Sequence, residues 1–130
     1  MSDSLEIVRF FFELSNNIKL FHWQTTSYAA HKATDELYGV MQVLSDKFLE
    51  ILQGKKNKRV GFGYGKGDSA SLMLMQLSHD KFIAYLQMCG GWLMDIQNKG
   101  VVTASDTDLL NIRDEMLGAI HQTLYLLSFK

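Results

Sequence analysis

The chain has 130 residues, a formal net charge of −1 and 47% hydrophobic residues. That suffices for one small domain, residues 1–130, with its own core, and it excludes binding of polyanions by overall charge alone. No apolar run is long enough to span a bilayer and no early stretch has the build of a secretory leader, so a cytoplasmic protein without membrane contact is expected.

Proline is absent, which favours long uninterrupted helices, and the lone Cys89 excludes an intrachain disulfide and favours a reducing compartment. The first predicted helix runs from about Asp3 to Trp23. Asp3 and Glu6 have capping-box spacing, and Ile7, Phe11, Leu14, Ile18 and Phe21 form an apolar stripe. The second runs from about Tyr28 to Gln53 on the stripe Leu37, Met41, Leu44, Phe48 and Ile51, with Gly54 as its stop signal. A glycine- and lysine-rich loop, Gly54 to Asp68, follows. A third helix is expected to open near Asp68 or Ser69 and to run to Asn98, with Met75, Phe82, Leu86, Cys89, Leu93 and Ile96 inward and Lys99-Gly100 closing it. The fourth is expected from Ser105, where Ser105 and Asp108 have capping-box spacing, through Leu110, Leu117, Leu124 and Leu127. Four helices on short loops read as an all-α antiparallel four-helix bundle.

The second helix carries a row of metal-type ligands. His31 and Asp35 are i,i+4 neighbours, and so are Asp46 and Glu50. The pairs are eleven residues apart, close to three whole turns, so all four side chains share one face. At ~1.5 Å rise per residue the pair centres lie roughly 22 Å apart, too far to hold one metal within one chain. A second copy of the helix, antiparallel across a two-fold axis, would set His31 and Asp35 of one subunit against Asp46 and Glu50 of the other, twice. Leu37 on the core stripe lies about 200° around the helix from Asp35, so the row faces away from the core. Di-iron bundles that hold their metal inside use Glu-x-x-His pairs, and this chain has none. Gly39 and Gln42, midway along the row, would lie near the axis, where a glycine permits close helix approach.

His22-Trp23, His31-x-x-x-Asp35-x-x-Tyr38 and Asp46-x-x-x-Glu50 together resemble the signature of the miniferritins, the Dps-like starvation proteins. The resemblance covers the first, second and fourth helices. It implies a ferritin-like bundle whose ferroxidase centre lies between two-fold-related subunits. His22, His31 and Asp35 would come from one subunit, and Asp46 and Glu50 from its partner. It further implies oxidation of Fe2+ by hydrogen peroxide or oxygen at a mono-iron or di-iron interfacial site, storage of ferric iron, and a homo-oligomer built through the second helix, a dimer and by family analogy a dodecamer. No catalytic residue separate from the metal ligands is implied. Two features depart from the family: the segment between His22 and His31 is short, and Gly54–Asp68 replaces a short helix. The chain is also similar to ferritin-like proteins of phages and large DNA viruses, which would place it in host cytoplasm or virion.

Plainer readings compete at each position. Asp46 and Glu50 alone would read as a solvated face; His31 and Asp35 on the same row, with His22 arriving from the neighbouring helix end, favour ligands. Carboxylates with imidazole suit iron, manganese or zinc. The alternative is a ferritin-like structural or binding module without iron turnover. His79 and His121 read as structural histidines, Trp23 as packing, and Met73, Met75, Met88 and Met94 as core or interface filling. The glycines of Gly61–Gly67 match no phosphate-loop spacing. Lys55, Lys56, Lys58 and Arg59, with Phe62 and Tyr64 nearby, form a basic patch suited to phosphates or an acidic partner. DNA binding through basic tails is not supported, since only Met1 and Ser2 precede the first predicted helix and Phe129-Lys130 follow the last.

Overall fold

The computed structural model describes residues 2–61 and 71–129, the first two of these by backbone alone. Four α-helices account for most of them: α1 (Ser2–Gln24), α2 (Tyr28–Lys56), α3 (His79–Met94) and α4 (Thr107–Leu127), with a 3₁₀ turn at Ile96–Lys99. No strand occurs among the described residues.

The stripes of α1 and α2 form the core as their spacing requires. Ile7, Phe11, Leu14, Ile18 and Phe21 of α1 are buried, and so are Leu37, Met41, Leu44 and Phe48 of α2. Paired aromatics fix how the helices meet. Phe11 packs edge-on against Phe48 at 5.3 Å between ring centroids. Phe21 stacks on Phe82 at 4.0 Å, and Phe10 on Trp92 at 3.8 Å, so the end of α1 meets the start of α3 and its beginning meets the end of α3. At the α3–α4 contact the His79 Nε2–H donates to Leu127 O over 2.9 Å, the satisfied role expected of that histidine, and Arg113 Nη1 donates to Leu93 O over 3.0 Å. Lys55, near the end of α2, bonds Asp106 and Asp108 at the start of α4.

Several expected boundaries are corrected. α2 does not stop at Gly54; it runs to Lys56 and ends at Asn57, whose φ of 51° puts it in the left-handed region that asparagine tolerates better than most residues. α3 opens at His79 rather than near Asp68 or Ser69, because Ser78 caps it, accepting from Lys81 N–H. The apolar run at 71–78 is not helical: its backbone is bonded by α1 side chains instead. Glu13 Oε2 accepts from Met73 N–H at 2.8 Å, Asn17 Oδ1 from Met75 N–H at 2.8 Å, and Asn17 Nδ2 donates to Met73 O at 3.0 Å. The described residues 71–78 therefore lie against α1 and lead into α3 without belonging to it.

The Ser105/Asp108 cap is also absent. Asp106 precedes α4 and turns its carboxylate back onto the Thr103 N–H (2.8 Å) and onto Lys55 Nζ (2.9 Å). Inward positions of α4 are Leu109, Ile112, Met116, Ile120, Thr123 and Leu127, one residue off the expected Leu110, Leu117 and Leu124, which are half-buried. On α2, Leu52 rather than Ile51 completes the core. The Asp3 side chain of the expected first cap lies outside the described residues, as do Phe62, Tyr64 and most of the glycine loop.

Lys55 and Thr103 hold the Asp106 carboxyl at about 2, below its ordinary 3.8. A depressed acid stabilises the fold above its unfolded value and stops doing so as pH falls through the folded value. Asp106→Asn should therefore cost stability at neutral pH, and the difference from wild type, followed by thermal melts, should shrink between pH about 4 and about 2. A pH-independent difference would contradict the pairing.

Candidate metal centre

A three-residue join, 25–27, brings the end of α1 beside the start of α2. Thr25 N–H bonds Phe21 O at 2.9 Å, and Ser27 caps α2 by accepting from Ala30 N–H at 3.2 Å. His22, in the last turn of α1, and His31, in the first turns of α2, are thereby brought together. Their rings stack at 3.9 Å with 18° between planes. Each ring bonds the other residue's backbone: His22 Nδ1 lies 2.8 Å from His31 O, and His31 Nδ1 lies 2.9 Å from His22 O. A carbonyl can only accept, so both protons sit on Nδ1, and in the neutral rings both Nε2 atoms keep their lone pairs. Thr34 Oγ1 donates to Ala30 O at 2.8 Å and receives a weaker share of the His22 Nδ1–H at 3.2 Å.

Neither Nε2 has a hydrogen-bond partner among the described residues. His22 is 6% exposed and His31 half-buried. Metal-binding histidines commonly place one ring N–H on a carbonyl in this way.

The rest of the row lies where the helix period puts it. Asp35, Asp46 and Glu50 are exposed on α2, opposite its buried stripe, and none makes a hydrogen bond or ion pair among the described residues. Gly39, Gln42 and Val43 on the same side are also exposed, Val43 to 68%. Among the described residues no three His, Cys, Asp or Glu side chains of one chain converge on a metal position. The structure unites His22 with His31 and leaves Asp46 and Glu50 far along the helix. Lys19 Nζ lies over the rings of Tyr38 (4.7 Å) and Trp23 (5.6 Å). Trp23 is 66% exposed, so the packing role expected of it is not met within one chain. His121 is exposed as well, and Met73, Met88 and Met94 lie outside the core.

Residues 22–127 match the sequence pattern of DUF5856, a family of unknown function. The chain belongs to this family. The matched span opens at His22 and takes in His31, Asp35, Asp46 and Glu50. No curated protein and no solved structure matches the chain.

Sequence reasoning named both histidines but missed their reciprocal bonding, because nothing in the spacing marks which ring nitrogen a carbonyl will take. Thr34 was missed for the same reason. Cys89 is no candidate for chemistry: burial pushes its thiol up to about 12.

Proposed function

We propose that this protein is a ferritin-like, antiparallel four-helix bundle that pairs through α2 and oxidises Fe2+ at two identical intersubunit sites. The carrying observation is the His22–His31 pair, two stacked imidazoles with Nδ1 committed to carbonyls and Nε2 without a hydrogen-bond partner among the described residues. Two nitrogen ligands do not complete an iron site; the missing oxygen donors are supplied by an antiparallel partner's Asp46 and Glu50, which the row's spacing brings opposite. The bundle assignment is supported by the aromatic contacts that set α1 and α3 side by side in opposite directions.

In this reading His22 and His31 bind Fe2+ through Nε2, while Asp46 and Glu50 of the partner neutralise its charge and leave a coordination position open. Asp35, one turn beyond His31, bridges or orients. Each ferrous ion gives up one electron; a peroxide takes two electrons and two protons and leaves as water. The ferric product hydrolyses, releases protons and is stored inside the assembly.

The experiment is anaerobic Fe2+ loading followed by peroxide, with assembly measured by native mass spectrometry. Wild type should be at least dimeric and show a rapid rise in ferric absorbance. Gly39→Leu tests the interface cleanly, since a Cβ at Gly39 meets nothing within 4 Å in its own chain. The change favours the helix by up to about 1 kcal/mol, yet blocks close approach of a second α2. Dimer and fast oxidation should fall together in a protein that still melts normally. A monomeric wild type at micromolar concentration would sink the proposal.

A further inference from the structure

At the other end of α2 the charges are sorted in a way the metal reading does not use. Lys55 is neutralised by Asp106 (2.9 Å) and Asp108 (2.8 Å), which hold its ammonium above the ordinary lysine range. Lys56, Lys58 and Arg59 have no ion-pair partner among the described residues, and all three line one open cleft of about 340 Å³. Its apolar lining is Leu52, Val60 and Val101, and no acidic residue lines it among the described residues.

The cationic rim is held in place. Asn57 turns the chain off the helix, Lys58 N–H reaches back to Gln53 O at 3.4 Å, and Val60 N–H donates to Gln53 Oε1 at 3.0 Å. Lysines in a last helical turn commonly offset the carbonyl end of the helix dipole, and that accounts for Lys55 and Lys56. It does not account for Lys58 and Arg59, which lie beyond the helix, curl around the same cleft and remain unpaired.

We propose that this cleft binds a small organic phosphate of about mononucleotide size. The volume falls in the ~300–1,000 Å³ range of small-ligand sites. A guanidinium presents a planar fork that matches phosphate oxygens, lysine ammoniums add point charges, and the apolar lining receives a ring or short carbon skeleton. Lys56 stands six residues past Glu50 on the same helix, ~9 Å along it at 1.5 Å per residue, and none of the five residues read as iron ligands lines the cleft.

Titration calorimetry on the full chain at physiological salt tests this with AMP, inorganic phosphate and a short DNA duplex. AMP should bind, and inorganic phosphate should bind more weakly because it leaves the apolar lining uncovered. Lys58→Gln/Arg59→Gln should weaken AMP by about tenfold or more, the scale of lost charge-assisted hydrogen bonds. Val101→Glu, which puts a negative charge in the lining, should weaken it likewise, and Lys55→Gln should leave it within about twofold. Both rim residues are exposed, and a melt confirms that the double variant folds. AMP binding indifferent to the double variant, or no binding of AMP, would overturn the proposal. So would tight binding of the duplex alone with a steep salt dependence, since that assigns the rim to a nucleic-acid backbone.

Discussion

Mixing His31→Ala protein with Glu50→Ala protein should restore an iron oxidation that neither variant shows alone. Each substitution removes one ligand from every site of a homodimer, and loss of the fast phase by at least 10–100-fold is the expected order for groups this close to a metal. In a heterodimer the damage is redistributed. One site receives both substitutions, and the other takes its histidine and its glutamate from undamaged chains. About half of the sites in heterodimers should then be intact, on the geometry of a ligand set split across a two-fold axis. Both variants should fold, because Glu50 is exposed and His31 contributes a ring and one hydrogen bond at the end of the bundle rather than core volume. Native mass spectrometry shows whether heterodimers form. If they form and oxidation stays absent, the site lies within one subunit or there is no ferroxidase site. The latter leaves the non-catalytic module as the better reading.

What could be seen in the sequence were features with a period. The α1 and α2 stripes repeat at helical spacing, so their burial, and the exposure of Asp35, Asp46 and Glu50 on the far side, follow from geometry. Features that depend on a distant partner were hidden. Leu72 to Leu77 is as apolar as a helix interior, and only the side chains of Glu13 and Asn17, 60 and 58 residues from Met73 and Met75, take its backbone groups instead. Gly54 would end a helix standing alone, but α2 continues one turn further and carries Lys55 to Asp106 and Asp108. On α4, Leu110, Leu117 and Leu124 lie seven apart, and a seven-residue step slips by ~20° per repeat on a straight helix. The inward row follows 109, 112, 116, 120, 123 and 127, and Thr123 disguises it by being polar, its hydroxyl donating to Ala119 O at 2.9 Å. The His22–His31 pair was legible as two residues, not as a bonded unit.

Asn17→Ala should destabilise the protein by about 2–4 kcal/mol. Asn17 is 1% exposed and uses both ends of its amide. Its Nδ2 donates to Met73 O and to Tyr85 Oη, each at 3.0 Å, and its Oδ1 accepts from Met75 N–H at 2.8 Å. One side chain thus ties α1 to the 71–78 segment and to α3. The buried Tyr85 phenol oxygen receives from Asn17 Nδ2, and burial holds that phenol far above its ordinary range. Alanine removes the donors and the acceptor together and leaves Met75 N–H and the phenol short of partners in a half-dry site, where each unsatisfied group costs about 1–3 kcal/mol. Asn16 is the control: it is exposed, and its single bond to Phe12 O at 2.8 Å lies on the helix surface, so Asn16→Ala should stay within about 0.5 kcal/mol. Denaturant melts of the two variants give the difference. Amide exchange locates it, since Met75 should lose protection in Asn17→Ala while Leu14 and Ile18 of α1 keep theirs relative to the lowered global stability. Equal melts for the two asparagine variants would mean that the 71–78 segment is held by Glu13 and apolar contact alone.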